Sequence, residues 1–521
     1  MKKLFLLLLF AFPVLLHAQG FYEEFAQKDT NLTQRFAAIC ADSAGFIDAG
    51  GYMYDSAGFQ RAVLVRFNAN GAPVLSQRLF APSTSASVVC LAADTSGFWA
   101  ICNVGPYTTA LLRMDENFTI LWGRRIFETG HNVIAISCRP DHHGGCYVSG
   151  CYYQPSVYNM PNLGFIMRYD ASGNVQWSNL YTLNDHGFLP LSMDAQTVNN
   201  GFVSTLFINH LDSTTGHTYY SAGLMKVYSG GNLAWIKTFA DSTYHYPLCM
   251  TMLADSSFVI GGISDLYNNT GNYEVFLTRI DKNGEHRWTR RVVQSPSFEL
   301  NYGLTETDQH TILFAFQNPG DSSVARLEVD TAGNYVSARQ SGVISVVRAQ
   351  RLVRLPGQGI YLAGESIGLN GSHALLMGFD PSGAASCEDA PQALALAPES
   401  FRTDHPAPAV TAGPQSMTYT ATTVPFFINK GNCPPAGVEE QQAEEATLFP
   451  NPATEEVTVQ FSQWQEGQYT LFDVQGREVG NENFSGASFV LNRDGLSDGI
   501  YFLRISTKDG RSFSRKIVFS S

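Results

Sequence analysis

Residue types that could do chemistry are sparse in this sequence, and where they cluster their spacing favours turns. The run Cys138-Arg-Pro-Asp141-His142-His143-Gly-Gly-Cys146 sets two imidazoles between two thiols, the groups that ligate zinc. The ligand spacing of a structural zinc site is absent, however, and the run occupies the place held by Asp94-Thr-Ser-Gly97 in the preceding repeat. A polar turn is therefore expected. Asp281-Lys-Asn283-Gly284 and Asn68-Ala-Asn70-Gly71 open like calcium loops but lack the other oxygen ligands and the distal Glu. No His-Glu-x-x-His pair or phosphate-cradling loop occurs. The expectation is no catalytic residue, no metal and no cofactor. Paired carboxylates on different strands need no sequence spacing, so hydrolysis stays open without a pair to nominate.

The elements that would have to position such groups are β-strands. The 521 residues carry a net charge of -13, with 15% charged, 12% aromatic, 46 Gly and 23 Pro. At 44% hydrophobic the chain is not disordered, and its acidic balance argues against a nucleic-acid partner. Lys2 and Lys3 precede an apolar run from Leu4 to Leu16, and Ala18 supplies a small residue before a cut at Gln19. Residues 1–18 therefore read as a secretory signal peptide. No later apolar stretch approaches the roughly 18 residues of a membrane-spanning helix, so a soluble mature protein is expected. Nine cysteines leave at least one thiol unpaired.

The C-terminal stretch 446–521 changes character. It opens Phe449-Pro450-Asn451-Pro452, then alternates through Val457–Phe461 and turns at Asp473-Val-Gln-Gly476-Arg477. It continues with Leu496-Ser-Asp-Gly499-Ile500-Tyr501-Phe502-Leu503 and ends near the basic Lys516. Period-2 runs between Gly, Asp and Asn turns predict a small Ig-like antiparallel sandwich. These four ordered motifs closely resemble the C-terminal type A sorting domain of the type IX secretion system of Bacteroidetes. The resemblance covers the whole stretch and assigns 447–521 as that domain. It implies that the type IX machinery is a partner and that the chain is exported to the surface or medium, usually with removal of the domain.

The middle repeats. Each copy centres on a strand, an Asp/Asn-Gly turn and a second strand, often with Trp four residues past the Gly. Turn positions fall at Gly71, Phe118, Gly173, Gly231, Gly284, Gly333 and Gly383, at intervals of 47 to 58 residues. Trp122, Trp177, Trp235 and Trp288 follow four of them. Four short strands about every 50 residues are the mark of a β-propeller blade, and seven copies predict seven blades over 19–387. An elongated solenoid is the rival. The seventh copy lacks an outer strand, which Phe21-Tyr-Glu-Glu-Phe25 is expected to supply, hiding an edge and closing the ring. The Asp-x-x-Gly-x-x-x-Trp units resemble tryptophan-docking repeats of quinoprotein-type propellers, and more loosely the Asp-box hairpins of sialidases. Identical residues in every blade serve architecture, with Trp packing between blades, because an active site needs different residues converging at one place.

Residues 388–446, rich in Ala, Pro, Thr and Glu, read as an extended, solvated acidic linker. Only 416–428 looks strand-like, and it is expected to pack on the propeller. A disulfide between Cys387 and Cys433 would pin its return, and cross-strand bridges Cys90–Cys102 and Cys138–Cys151 compete with plain buried thiols. The loops 152–162, 210–220 and 265–273 are rich in Tyr, Asn, Ser and Thr, suited to a glycan or protein ligand. The leading expectation is a non-catalytic, secreted or surface-attached binding protein. A carbohydrate lyase or glycosidase using the central funnel and a surface scaffold are the alternatives. Charged groups from several blades converging in the funnel would favour the enzyme.

Overall fold

The computed structural model describes residues 21–520 apart from 27–33, 56, 81–83, 106–107, 154–163, 183–185, 190–194, 199–200, 212–217, 241–243, 266–272, 293–301, 318–322, 342–346, 369–370, 384–388, 392–395, 400–401, 405–408, 413–414, 419–422, 426–428, 431–445, 474–476 and 509–511. The signal peptide, the Cys387–Cys433 pair, Gly476 and most of the three polar loops lie outside the described residues. The chain divides into two compact units, Met1–Ala436 and Gly437–Ser521.

The first unit is a ring of seven antiparallel sheets, a seven-bladed β-propeller. The first blade shows the pattern: Gln34–Ala41, Ile47–Tyr54, Gln60–Phe67 and Pro73–Leu79 pair in sequence order, from the axis outward. Its inner two strands join through the turn at Asp42, whose Oδ1 accepts the N–H groups of Ala44 and Phe46 at 2.9 Å. That is the Asx geometry that made Asp a turn residue in the sequence. Inner strands carry a recurrent bulge, as between Phe36 and Ala38 or Pro247 and Cys249. The residue opposite the bulge is forced to be small: a Cβ on Gly51 would lie 1.8 Å from the Arg35 carbonyl, and one on Gly262 2.0 Å from that of Tyr246.

Blades stack face to face, and each interface is a separate apolar core. Ala62, Leu64 and Phe80 of the first blade meet Val88, Phe98 and Leu112 of the second. The seventh blade returns to the first through Tyr361, Ala363 and Leu376 against Phe36, Val63 and Val65. Because both faces of a blade are covered, middle strands read as unbroken apolar runs, as in Ile312–Gln317, where every residue is buried. The fourth strand of the seventh blade comes from the N-terminus: Phe21–Ala26 pairs antiparallel with Gly371–Phe379, Phe21 opposite Gly378.

Residues 389–430 depart from the solvated connection expected of them. They form seven short strands that add a fifth, outermost strand to every blade. Asp389–Pro391 pairs with the sixth blade, Leu396–Glu399 with the fifth and Arg402–Asp404 with the fourth. Ala409–Ala412, Gln415–Thr418 and Thr423–Pro425 follow on the third, second and first. Asn429–Lys430 then pairs with Phe21–Ala26 in the seventh. This belt passes once round the propeller in descending blade order. Each outer edge would otherwise present unpaired backbone groups, and the belt satisfies them. Its prolines at 391, 398 and 425 are tolerated because nothing lies beyond to need their missing N–H.

The second unit contains one antiparallel sheet system: Ala446–Phe449, Glu456–Asp473, Glu478–Asn492, Gly499–Thr507 and Ser512–Phe519. Its core gathers Val457, Val459, Leu471, Leu503, Ile505, Ile517 and Phe519. No helix among the described residues is long and apolar enough to cross a membrane.

Candidate functional site

Three places gather the residues singled out by the sequence. The first is the turn joining the third and fourth strands of each blade. All seven turn positions take positive φ, from 60° at Phe118 to 88° at Gly231. Each tryptophan lies on the outer strand of one blade and docks on the turn of the next. Trp122 Nε1 donates to the Ala171 carbonyl at 3.1 Å, Trp177 to Ser229 at 2.7 Å and Trp288 to Thr331 at 3.0 Å. Their rings press on Gly173, Gly231 and Gly333, where a Cβ would come within 2.9 Å; Trp235 approaches Gly284 less closely. Gly71 belongs to the ring's closing contact, since Tyr361 Oη donates to the neighbouring Ala69 carbonyl at 3.0 Å.

Sequence reasoning missed the partners of this contact. Two residues past each tryptophan a polar side chain reaches the same turn. Arg124 Nε donates to the Gly173 carbonyl at 2.7 Å, Asn179 to Gly231 at 2.7 Å and Arg290 to Gly333 at 2.8 Å, while Lys237 pairs with Glu285 at 2.8 Å. Arginines on the third strands add a second clasp. Arg168 binds Asp141 of its own blade and the Ser229 carbonyl of the next. Arg326, 1% exposed, reaches the Gly383 carbonyl at 2.8 Å and stacks on Phe379. The recurrence of Trp-x-Arg and Arg-x-Asp in the repeats was the available signal.

The His142-His143 run forms the turn between the first and second strands of the third blade. Asp141 Oδ1 accepts the N–H groups of His143 and Gly145, and its other oxygen takes Arg168. No group of three metal-ligating side chains occurs among the described residues. The seven described cysteines are buried thiols. Cys90–Cys102 cannot bridge, because Cys90 faces the third blade and Cys102 faces the first. Cys138–Cys151 is likewise unbridged: Cys138 sits opposite Val148, and Cys151 opposite Ile134. Cys90 instead lies 3.7 Å, sulfur to sulfur, from Cys138 of the neighbouring blade. That hydrogen bond and burial push the Cys90 thiol up, and burial pushes up Cys138.

The second place is the axis. A cavity of about 340 Å³ is lined by residues from the innermost strand of every blade. Its charged lining residues are Arg139 from the third blade and Arg351 and Arg354 from the seventh. Arginine cannot trade a proton near neutral pH. Close by, the buried Asp48 carboxyl shares Arg66 with Asp42, at 2.9 and 3.2 Å. Burial lifts Asp48 to about 7, against the pull of Arg66.

The third place is the C-terminal unit, where the sequence motifs hold one another. Asn451 clamps the entry segment to the last strand: its Nδ2 donates to the Lys516 carbonyl and its Oδ1 accepts the Val518 N–H, both at 2.8 Å. Pro450 and Pro452 flank it in cis peptides, beside the half-exposed Phe449. Arg477 closes the turn on Asp473 through its backbone N–H at 3.0 Å and its Nε at 2.8 Å. Gly499 opens the strand on which Tyr501 is buried, its Oη donating to the Ser497 carbonyl at 2.9 Å.

No curated protein matches the chain. Among solved structures, the extracellular region of plexin A4 aligns over 97% of this chain and 61% of that chain, at 9% identity and a TM-score of 0.37. Drosophila semaphorin 1b, extracellular domains 1 and 2, aligns over 70% of this chain and 88% of that one, at 8% identity and TM-score 0.38. A mutant puromycin hydrolase aligns over 69% and 53%, at 12% identity and TM-score 0.43. The C-terminal unit is different in kind: residues 447–520 match the family of secretion system C-terminal sorting domains. The chain thus carries a sorting tail for export by the type IX system, out of the cell.

Proposed function

We propose that this protein is an exported binding protein of Bacteroidetes whose cargo is the seven-bladed propeller and whose address is the tail. The observation that carries the reading is the sorting-domain match over 447–520, placed behind an all-β body with its own complete set of cores. A signal peptide over 1–18 opens the first export step, and the type IX machinery takes the tail through the second. Ile500 and Phe502 face outward on the tail's strand, beside buried Tyr501 and Leu503, and offer that machinery an apolar contact. The mature body is then attached at the cell surface or released. Its ligand is a glycan or protein met by the Tyr- and Asn-rich loops at 152–162, 210–220 and 265–273.

Charged residues from two blades line the axial cavity, which speaks for the enzyme. All of them are arginines, however, and cleavage of a glycosidic bond needs a proton donor and a base, so binding stays the leading reading. Two measurements test the reading. Fractionation of the native host is expected to show a processed surface or medium form lacking the tail, and full-length protein confined to the cytoplasm would refute export. A glycan and protein array probed with the secreted body is expected to give binding without turnover. Depolymerisation of any glycan would replace the binding protein with an enzyme.

A further inference from the structure

We propose that Cys90 and Cys138 close as a disulfide that staples the second blade to the third once the chain leaves the reducing cytosol. The proposal rests on the export reading above, because disulfides form and persist in oxidising compartments. The two residues lie on the innermost strands of neighbouring blades, Ala86–Asp94 and Asn132–Pro140. They share one apolar core, where Cys90 is 1% and Cys138 0% exposed. Their sulfurs are 3.7 Å apart, and the Cys138 N–H donates to the Cys90 sulfur at 3.3 Å. A disulfide brings the sulfurs to about 2.0 Å, a closure within reach of rotation about one Cα–Cβ bond.

Register disfavours the competing thiols. Cys146 is the other cysteine beside Cys138, but it stands opposite Pro140 while Cys138 stands opposite Val148. Such diagonal neighbours on antiparallel strands are about 7–8 Å apart, beyond the Cα separation a disulfide accepts without backbone movement. Cys40 and Cys102 belong to the core between the first and second blades, and Cys151 to a separate one. The bond would join the inner strands of two blades that Trp122 and Arg124 already clasp through the Ala171 and Gly173 carbonyls. It links residues 48 apart in sequence, and closing such a loop stabilises by restricting the unfolded chain.

The oxidant is a disulfide of the compartment, of which oxidised glutathione is the simplest. Arg139 Nη1 lies 3.5 Å from the Cys90 sulfur, and a guanidinium favours a thiolate, so Cys90 is the attacking group. Its thiolate takes one sulfur of the oxidant, whose S–S bond breaks and releases one thiol. Cys138 then displaces the second half. One S–S bond forms, one breaks, two electrons pass to the oxidant, and both cysteine protons end on its two thiols. In the assembled core both thiols are pushed up, Cys90 by its hydrogen bond with Cys138 and by burial, Cys138 by burial. Thiolate is scarce there, so the exchange belongs to folding, as the third blade docks, and burial then shields the finished bond from reductants.

The test is refolding of the full chain from denaturant in mixed oxidised and reduced glutathione, which needs no export. The product is unfolded, alkylated without reduction, digested and mapped by mass spectrometry. The Cys90 and Cys138 peptides are expected as one linked pair that separates on reduction, with Cys146 alkylated. The same pair is expected in protein collected from the surface or medium of the host. Reduction is expected to lower the melting temperature of the oxidised protein by a few degrees and to leave the double variant Cys90→Ala, Cys138→Ala unmoved. The mapping uses the unaltered chain, so it does not depend on a variant folding. Alkylated Cys90 and Cys138 after refolding, a Cys138–Cys146 link, or a dithiol in the exported protein would overturn the staple. A linked pair after refolding, beside full-length protein confined to the cytoplasm, would refute export and uphold the pair.

Discussion

The body and the tail are both built from antiparallel strands, yet they use opposite solutions to covering a sheet. In the body Thr108–Met114 is buried at every position after the first, because another blade lies against each face. In the tail Gly499–Thr507 alternates buried and outward residues, because only one face meets a core. The body spends its aromatic and arginine side chains on its own next blade, as Trp288 and Arg290 do at the Thr331–Gly333 turn. The tail leaves large apolar residues outward, with Trp464 63% exposed and Phe502 46% exposed. The ring covers both faces of every blade, though Val74 and Leu121 on its outer strands stay 57% exposed, while the tail leaves one whole face outward.

The sharpest way to break this contrast is to truncate a tryptophan in each region. Trp288→Ala removes a ring that is only 9% exposed and is expected to cost the body about 3–5 kcal/mol in denaturant titration. Trp464→Ala is expected to stay within about 0.5 kcal/mol, as exposed substitutions do. Equal losses would erase the distinction. Next in size is Gly333→Ala, which needs φ of +78° and drives a Cβ to 2.8 Å from the Trp288 ring. It should cost about 1–3 kcal/mol, and Gly357→Ala, at φ +71° with open space, less.

Phe502→Ser should barely move the melting temperature but lower the exported fraction, whereas Leu503→Ala, at a fully buried position, should lower both. Unimpaired export of Phe502→Ser would remove the outward face from the sorting role. A smaller effect concerns pH. Asp48 binds its proton more tightly folded, at about 7, than at its ordinary 3.8. Its contribution to stability is therefore full below about 3.8 and fades as the pH rises toward 7. Asp48→Asn should flatten the fall in melting temperature between about pH 4 and 7, and an unaltered slope would assign that fall to other groups.

Much of the body could be read from residues alone. Gly71, Gly173, Gly231 and Gly284 marked turns because a tight hairpin needs a residue that accepts positive φ, a local requirement. Phe21–Phe25 was legible as the closing strand because the seventh copy was one strand short. The disulfide options at Cys90 and Cys138 went astray because a bulge shifts the register, turning Cys102 toward the first blade and Cys90 toward Cys138. The belt was nearly invisible. Its segments are two to four residues long, such as Asn429–Lys430 and Ala409–Ala412, too short for any periodicity.

The sequence by itself determined the strands, their turns, the number of blades and the address at the C-terminus. Each depends on neighbours a few residues apart or on a motif that repeats. The tertiary structure decided what those elements meet. It wound 389–430 round the ring as seven edge strands, since a strand that short exists only where a partner offers unpaired backbone groups. It also brought Arg139 and Arg351, more than 200 residues apart, into the lining of one axial cavity. Closing a sevenfold ring places the inner strands of all blades within reach of one axis, and no local rule encodes that convergence.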